Sequence, residues 1–306
     1  MALLDEQGVW RFRARSRGRV LTRQRVEQKD AMMAENFRNK VVWITGGGSG
    51  IGAALAHEFG QQGARVVVSG RRLEPLAEVV AELKGKGAEA MALGCDVTKV
   101  GELELAVEAV VERFGGLDVA VANAGFSVGG RLEELHASEW RRQFDTNVTG
   151  AAMTLRYALP HLYASKGRAV VMGSVAGTLG VPGNSAYCAS KFAVRGMAQA
   201  LSAELAGSGV SCTLLQPGFV HSDINRVDNQ NQVHEDWEDR RPAQLMWPAD
   251  KAARQMLKAI AARKREAVIT GHGKVATFLA YHTPGLTQAV LARAGERLRP
   301  KHHHEA

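Results

Sequence analysis

The sequence predicts an α/β protein built on a doubly wound parallel sheet, a single domain with a helical extension at its C-terminus. Three observations carry that reading. From Asn39 onward, short apolar runs alternate with longer segments of helical period, the pattern of strands covered by helices on both faces. The first apolar run ends in a glycine cluster that opens into a helix, an arrangement suited to a pyrophosphate at a helix N-terminus. Ser174, Tyr187 and Lys191 then stand at strand-end and helical spacings that make chemical sense together.

Taken in order, KVVWIT reads as a strand, GGGSGIG as a turn and AALAHEFGQQG as a helix. RVVVS is a second strand, LEPLAEVVAELKGKG a helix and AEAMALGC a third strand. The helix ELELAVEAVVERFGG leads into LDVAVA, the fourth. A long helical stretch from about Ser138 to Ala164 precedes RAVVMGS, and SAYCASKFAVRGMAQALSAEL precedes VSCTLLQPG. Right-handed crossovers turn this alternation into a Rossmann-type domain. AVIT, Ala267–Thr270, closes the strand series, and two short amphipathic helices broken at Pro284-Gly285 follow. The expected division is a basic, disordered leader over 1–38, the sheet domain over 39–272 and a helical tail over 273–306.

Composition narrows the function class. With 45% hydrophobic and 23% charged residues, the 306-residue chain reads as a globular enzyme. It has no apolar run near the roughly 20 residues that span a bilayer. Cys95, Cys188 and Cys212 form no CxxC pair, so a disulfide framework or zinc site is not expected; a reducing, cytoplasmic setting is. The histidines show no metal-ligand spacing in the core, and no metal is expected. Residues 1–31 hold eight basic and four acidic side chains, which supplies half of the net +8. Such an arm suits nucleic acid or an anionic membrane, but low hydrophobicity and high charge favour a solvated leader. Nucleic acid is not the expected partner. Met32 and Met33 offer an alternative start. The tail helices are expected to pack on the protein first, with peripheral membrane contact the less favoured option.

The glycine cluster has the form Gly46-x-x-x-Gly50-x-Gly52, with Thr45 before it and Ser49 and Ile51 within it. Its glycines let the backbone turn tightly and let a phosphate approach the amides. After the second strand the sequence reads Gly70-Arg71-Arg72 with no carboxylate. An acid there would bond a ribose 2′-hydroxyl, whereas guanidinium groups match a 2′-phosphate in charge and geometry. NADP is therefore expected over NAD, which stays possible.

Tyr187 and Lys191 lie four apart in a helical segment and share a face. A free tyrosine is a poor acid or base at neutral pH. An ammonium within about 4–6 Å favours the phenolate and is expected to lower its pKa by roughly 1–3 units. Ser174 ends a buried strand and opens toward a cleft.

TGGGSGIG, CDV at Cys95–Val97, NAG at Asn123–Gly125, Asn147, Ser174, Tyr187-x-x-x-Lys191 and Pro217-Gly218 occur in the order of the short-chain dehydrogenase/reductases. The chain resembles that family from about Lys40 to Ala262, with Ala122 replacing the first Asn of the usual NNAG and Ser222 keeping the hydroxyl of a usual Thr. The resemblance implies reversible hydride transfer between NADP(H) and a ketone, aldehyde or secondary alcohol. Ser174 would bond the substrate oxygen, Tyr187 would exchange its proton, Lys191 would tune Tyr187 and bond the nicotinamide ribose. Asn147 would bend its helix and hold a water in a proton relay. Asp96 would contact adenine, and Asn123 would brace the central strands beneath the cofactor. Cofactor contacts are also expected at Val97, Ala124, Gly125, Pro217, Gly218, Val220 and Ser222. A homodimer or homotetramer is implied. The alternative is a dinucleotide-binding sensor or scaffold of the same fold.

The substrate is expected to be a small or medium hydrophobic molecule. The polar stretch His221–Trp247 reads as a lid. Phe126, Val175, Phe219, Met246 and Trp247 are candidates for its apolar wall.

Overall fold

The computed structural model describes residues 3–4, 10–11, 37–222, 224, 228–229, 234 and 241–296. Its centre is a sheet of seven strands: β1 Val41–Thr45, β2 Arg65–Gly70, β3 Ala90–Gly94, β4 Val119–Ala122, β5 Arg168–Met172, β6 Ser211–Gln216 and β7 Glu266–Val268. Every pairing in it is parallel, in the order β3-β2-β1-β4-β5-β6-β7. The expected doubly wound sheet is what forms. The strand order reverses between β1 and β4, and in such sheets the crevice at the strands' carboxyl ends is where ligands bind.

The strands are rich in β-branched residues because both faces are buried. Val42, Ile44, Val66, Val68, Val119 and Val121 point to one face and pack with Leu55, Phe59, Leu76 and Ile260. Val41, Trp43, Val67, Ala120 and Ala122 point to the other and pack with Leu103, Val107, Leu155 and Val194. The strict alternation along each strand separates two cores, one under each helical layer. The first layer holds α1 Gly50–Gln61, α2 Leu73–Gly85 and α7 Ala249–Ala261. The second holds α3 Val100–Phe114, α5 Ala151–Ser165 and α6 Ser185–Glu204.

The long helix expected over 138–164 is interrupted. α4, Ala137–Phe144, passes into a π-helical turn at Asp145–Gly150 before α5 begins. Asn147 lies inside that turn, fully buried. The expected bend is a change of helical register, a form π-bulges often take at functional sites.

The domain edges shift from the sequence reading. Phe37, assigned to the leader, is completely buried and meets Phe59 edge-to-face at 5.0 Å. Its aromatic area belongs to the core, so the sheet domain starts earlier than 39. Of the leader itself, Leu3–Leu4 pairs antiparallel with Trp10–Arg11; the expectation of disorder over the rest lies outside the described residues. At the other end α8, Gly271–His282, starts before the expected boundary at 273, and α9 runs from Pro284 to Glu296. α8 buries Gly273 and Thr277, but α9 buries no residue and leaves Leu286 and Val290 more than half exposed. One side of α8 thus packs on the protein, and α9 packs more thinly, with Gly295 against Pro182. Among the described residues no helix is long and apolar enough to cross a membrane.

Candidate active site

The cleft opens at the carboxyl ends of β1, β2, β4 and β5. One wall is the turn from β1 to α1. Gly46 adopts φ +64°, a left-handed conformation that a side chain would strain, and a Cβ there would also meet Ala124 Cα at 2.9 Å. At Gly52 a Cβ would run into the Gly46 carbonyl and lie 2.7 Å from Asn123 Nδ2. The Ser49 side chain makes no capping bond, which leaves the first-turn N–H groups of α1 open to the cleft. Gly46, Ser49, Gly50, Ile51 and Gly52 all line it. A shallow cradle of free amides at a helix N-terminus, closed to any Cβ, fits a pyrophosphate.

Asn123 braces this wall. Its Nδ2 donates to the carbonyls of Thr45 at 2.9 Å and Gly46 at 3.0 Å. Thr45, expected to touch the cofactor, turns away from the cleft instead. Its hydroxyl accepts from the amides of Asn123 at 3.1 Å and Ala124 at 3.2 Å and donates to the Val121 carbonyl at 3.3 Å. It ties β1 to β4 beneath the floor.

Arg71 and Arg72 are exposed at the end of β2, line the same cleft and make no ion pair with a described residue. Asp96 and Val97 line it as well, with Ala124 and Gly125. The Asp96 carboxylate accepts from the Thr98 amide at 3.0 Å and the Thr98 hydroxyl at 2.8 Å. That local turn orients the acid without using all of its lone pairs.

Tyr187 and Lys191 share a face of α6 as their spacing required. Lys191 Nζ lies 5.8 Å from the Tyr187 ring centre and donates to the Met172 carbonyl at 2.8 Å. Ser174 follows β5, accepts from the Ala176 amide at 3.1 Å and stands beside the Tyr187 phenol. The three groups meet. Their electrostatics differ from expectation, however. Burial pushes the Tyr187 phenol up, against the neighbouring Ser174 hydroxyl and the Arg241 charge, which pull it down. Burial also pushes Lys191 down to about 8. Desolvation outweighs the expected lowering of Tyr187, and the positive charge that acts against it is that of Arg241 rather than of Lys191.

The Asn147 side chain bonds the Phe126 backbone twice, Oδ1 accepting from N at 3.1 Å and Nδ2 donating to O at 3.0 Å. It also donates to Ser190 Oγ at 3.2 Å. Its amide is thus committed to the loop after β4 and to α6, next to the tyrosine's own turn. Phe126, a candidate for the substrate wall, lines the cleft from that loop.

The opposite wall is the loop after β6. Pro217 and Ser222 line the cleft. Gly218 packs instead against Thr270 and His272, and the Val220 side chain is buried. Arg241 holds this loop through the carbonyls of Val220 at 3.0 Å and Ser222 at 3.4 Å. His272 holds it through the Phe219 amide, which donates to Nε2 at 2.9 Å. Sequence reasoning missed both residues, since no spacing motif links them to Pro217-Gly218. Of the other wall candidates, Phe219 stacks on His272 at 5.3 Å and Trp247 packs on the α1–α7 core, with Lys251 4.1 Å above its ring. Val175 sits beside Ser174 with only 9% of its surface exposed, and Met246 is half-buried. Most of the expected lid, including residues 225–227 and 235–240, lies outside the described residues.

Comparison with known proteins points to one family. The family model described as short chain dehydrogenase matches residues 40–233. A hydroxynaphthalene reductase of Aspergillus fumigatus is 36% identical over 188 residues, 61% of this chain and 68% of that protein. A cyclohexanol dehydrogenase of Acinetobacter is 36% identical over 197 residues, 64% of this chain and 78% of that one. A short-chain dehydrogenase/reductase of Burkholderia phymatum, solved with NAD, superposes with a TM-score of 0.73 at 29% identity, covering 82% of this chain and 96% of its own. An alcohol dehydrogenase of the archaeon Thermococcus sibiricus, solved with 5-hydroxy-NADP, gives 0.66 at 27% identity, covering 76% and 96%.

Proposed function

We propose a specific reaction on one premise: the chain belongs to the short-chain dehydrogenase/reductase family and is an oxidoreductase that uses a nicotinamide dinucleotide. The reaction is reversible hydride transfer between NADP(H) and a small or medium hydrophobic ketone, aldehyde or secondary alcohol. The bound nicotinamide supplies the hydride chemistry.

This chain's residues do the rest. The first-turn amides of α1 take the pyrophosphate, and Arg71 and Arg72 take the 2′-phosphate. Ser174 donates to the substrate oxygen. Tyr187 gives that oxygen its proton in reduction and removes it in oxidation. Lys191 bonds the ribose and returns a proton toward Tyr187, and its lowered pKa of about 8 suits it to gain and lose one near neutrality. Asn147 keeps the loop carrying Phe126 at its distance from α6. The reading is carried by one observation, the meeting of Ser174, a half-buried Tyr187 and a buried Lys191 at one cleft with the glycine turn.

The test is turnover of aliphatic, aromatic, steroid and 3-oxoacyl carbonyls by the whole chain with NADPH and with NADH. Tyr187→Phe is expected to cut kcat by about 10²–10⁴-fold and to leave dinucleotide affinity within a few-fold. Normal reduction by that variant would end the assignment, and retained binding with no turnover in the wild type would favour a sensor. Arg71→Ala with Arg72→Ala should lower NADPH efficiency roughly 10–100-fold, from the loss of charge-assisted bonds, with NADH little changed. An equal effect on both cofactors would remove the NADP preference.

A further inference from the structure

We propose that His272 is a positioning residue: as a neutral imidazole with its proton on Nδ1, it holds the loop Pro217–Ser222 in the form that receives the dinucleotide, and acid releases that hold. The proposal rests on the dinucleotide reading of the cleft and adds a residue and a control to it.

The tautomer follows from the partners. A backbone N–H can only donate, so the 2.9 Å contact from Phe219 N makes Nε2 the acceptor. Thr270 Oγ1 lies 3.1 Å from the same Nε2 and itself accepts from the Gly273 amide at 3.2 Å, which leaves its own proton for the imidazole. Two donors converge on one lone pair. The Phe219 ring stacks on the imidazole with an interplanar angle of 24°. Gly218 completes the fit, because a Cβ there would lie 2.5 Å from His272 Nε2.

The held segment matters for chemistry on both sides. Pro217 and Ser222 line the cleft opposite the glycine turn. The Pro217 carbonyl accepts from the Val175 amide at 3.0 Å, which couples the loop to the residue after Ser174. A proton on Nε2 would set an N–H against the Phe219 N–H, and the loop would have to move.

Burial lowers the His272 pKa, so the neutral form persists to more acid pH than for a free histidine. The charged and titratable side chains on the surrounding elements are Glu266 of β7, Tyr187, Cys188, Lys191, Arg195 and Glu204 of α6, His221 and Arg241 of the loop and its return, and Lys274, Tyr281 and His282 of α8. Desolvation is the cause that moves the imidazole.

Two substitutions separate the roles. His272→Gln keeps an acceptor, since Oε1 reaches the place of Nε2, and does not titrate. His272→Leu has neither property. NADP⁺ binding is measured by calorimetry on the whole chain at pH 7.5 and 5.5, and amide exchange at Phe219 without ligand. We expect the Leu variant to bind roughly 5–10-fold more weakly at pH 7.5, the worth of about one hydrogen bond, and to exchange Phe219 faster. The Gln variant should match wild type at pH 7.5 and lose less affinity at pH 5.5. Titration of the ligand's own phosphate is common to all variants and cancels in that comparison. Wild-type binding and Phe219 exchange in the Leu variant, or an undiminished acid loss in the Gln variant, would overturn the proposal. If no variant binds a dinucleotide, the function reading fails. Phe219 exchange alone then decides whether His272 holds the loop: faster exchange in the Leu variant supports it, and unchanged exchange overturns it.

Discussion

The two walls of the cleft are built on different plans. At the glycine turn, strand ends of the central sheet hold one another: Thr45 takes amides from β4's exit, and Asn123 returns bonds to the carbonyls of Thr45 and Gly46. At the loop after β6, the supports arrive from outside the sheet. Arg241 comes from the far part of the expected lid, and Thr270 and His272 from the junction of β7 and α8. The first wall depends on neutral hydroxyl, amide and backbone groups that do not titrate at any working pH. The second depends on an imidazole lone pair and a guanidinium at the end of a long loop. A braced glycine turn proposed to take phosphate, facing a wall held from outside the sheet, is a division suited to an enzyme whose cofactor is constant and whose substrate must enter and leave.

Matched glycine substitutions test that contrast. In Gly52→Ala the new methyl meets the Gly46 carbonyl, a backbone group that cannot rotate aside. The turn must open, the amide cradle is lost, and dinucleotide affinity should fall by about 10²-fold, the worth of one or two bonds to a charged group. In Gly218→Ala the methyl meets Thr270 Oγ1 and His272 Nε2, both on side chains with rotatable χ1. The loss should be nearer 10-fold, from the hydrogen bonds given up as they turn away. Calorimetry on both variants reads the difference, with circular dichroism to confirm the fold. Equal losses would mean that the second wall is as stiff as the first.

The same contrast marks what was legible in the sequence. The seven strands, the glycine turn and the meeting of Ser174, Tyr187 and Lys191 follow from local pattern. A run such as VVWIT states its own burial, and a four-residue spacing states its own face. Supports that act across the fold leave no such trace. His272 reaches Phe219 over 53 residues and Arg241 reaches Val220 over 21, with no repeat or spacing to join them. Thr45 was legible as part of the turn but not in its direction, because only the pairing of β1 with β4 shows that its hydroxyl has amides to satisfy. The Tyr187 shift failed for another reason. Residue types reveal which charges are near, whereas desolvation depends on everything packed around them.

Lys191 stands between the two walls, at the end of β5, and offers the finest test. Its pKa falls from 10.5 to about 8 through burial. Below pH 8 the folded and unfolded chains both carry the charge, and the folded state bears the whole cost of burying it. Between about 8 and 10.5 the folded state has released a proton that the unfolded state still holds, so this group's contribution to stability rises with pH. Lys191→Met bears no such cost. Without ligand, the variant should be the more stable at pH 7, by roughly 1–2 kcal/mol once relaxation reduces the full desolvation value. That gap should close as pH approaches 10. Cys95 and Cys212, raised by burial to about 11 and about 12, destabilise both proteins above pH 9 and cancel in the difference. Urea denaturation at pH 7, 8, 9 and 10 measures it. A gap that stays constant with pH would show that Lys191 keeps its charge in the folded state, and that the middle of the cleft is wetter than either wall.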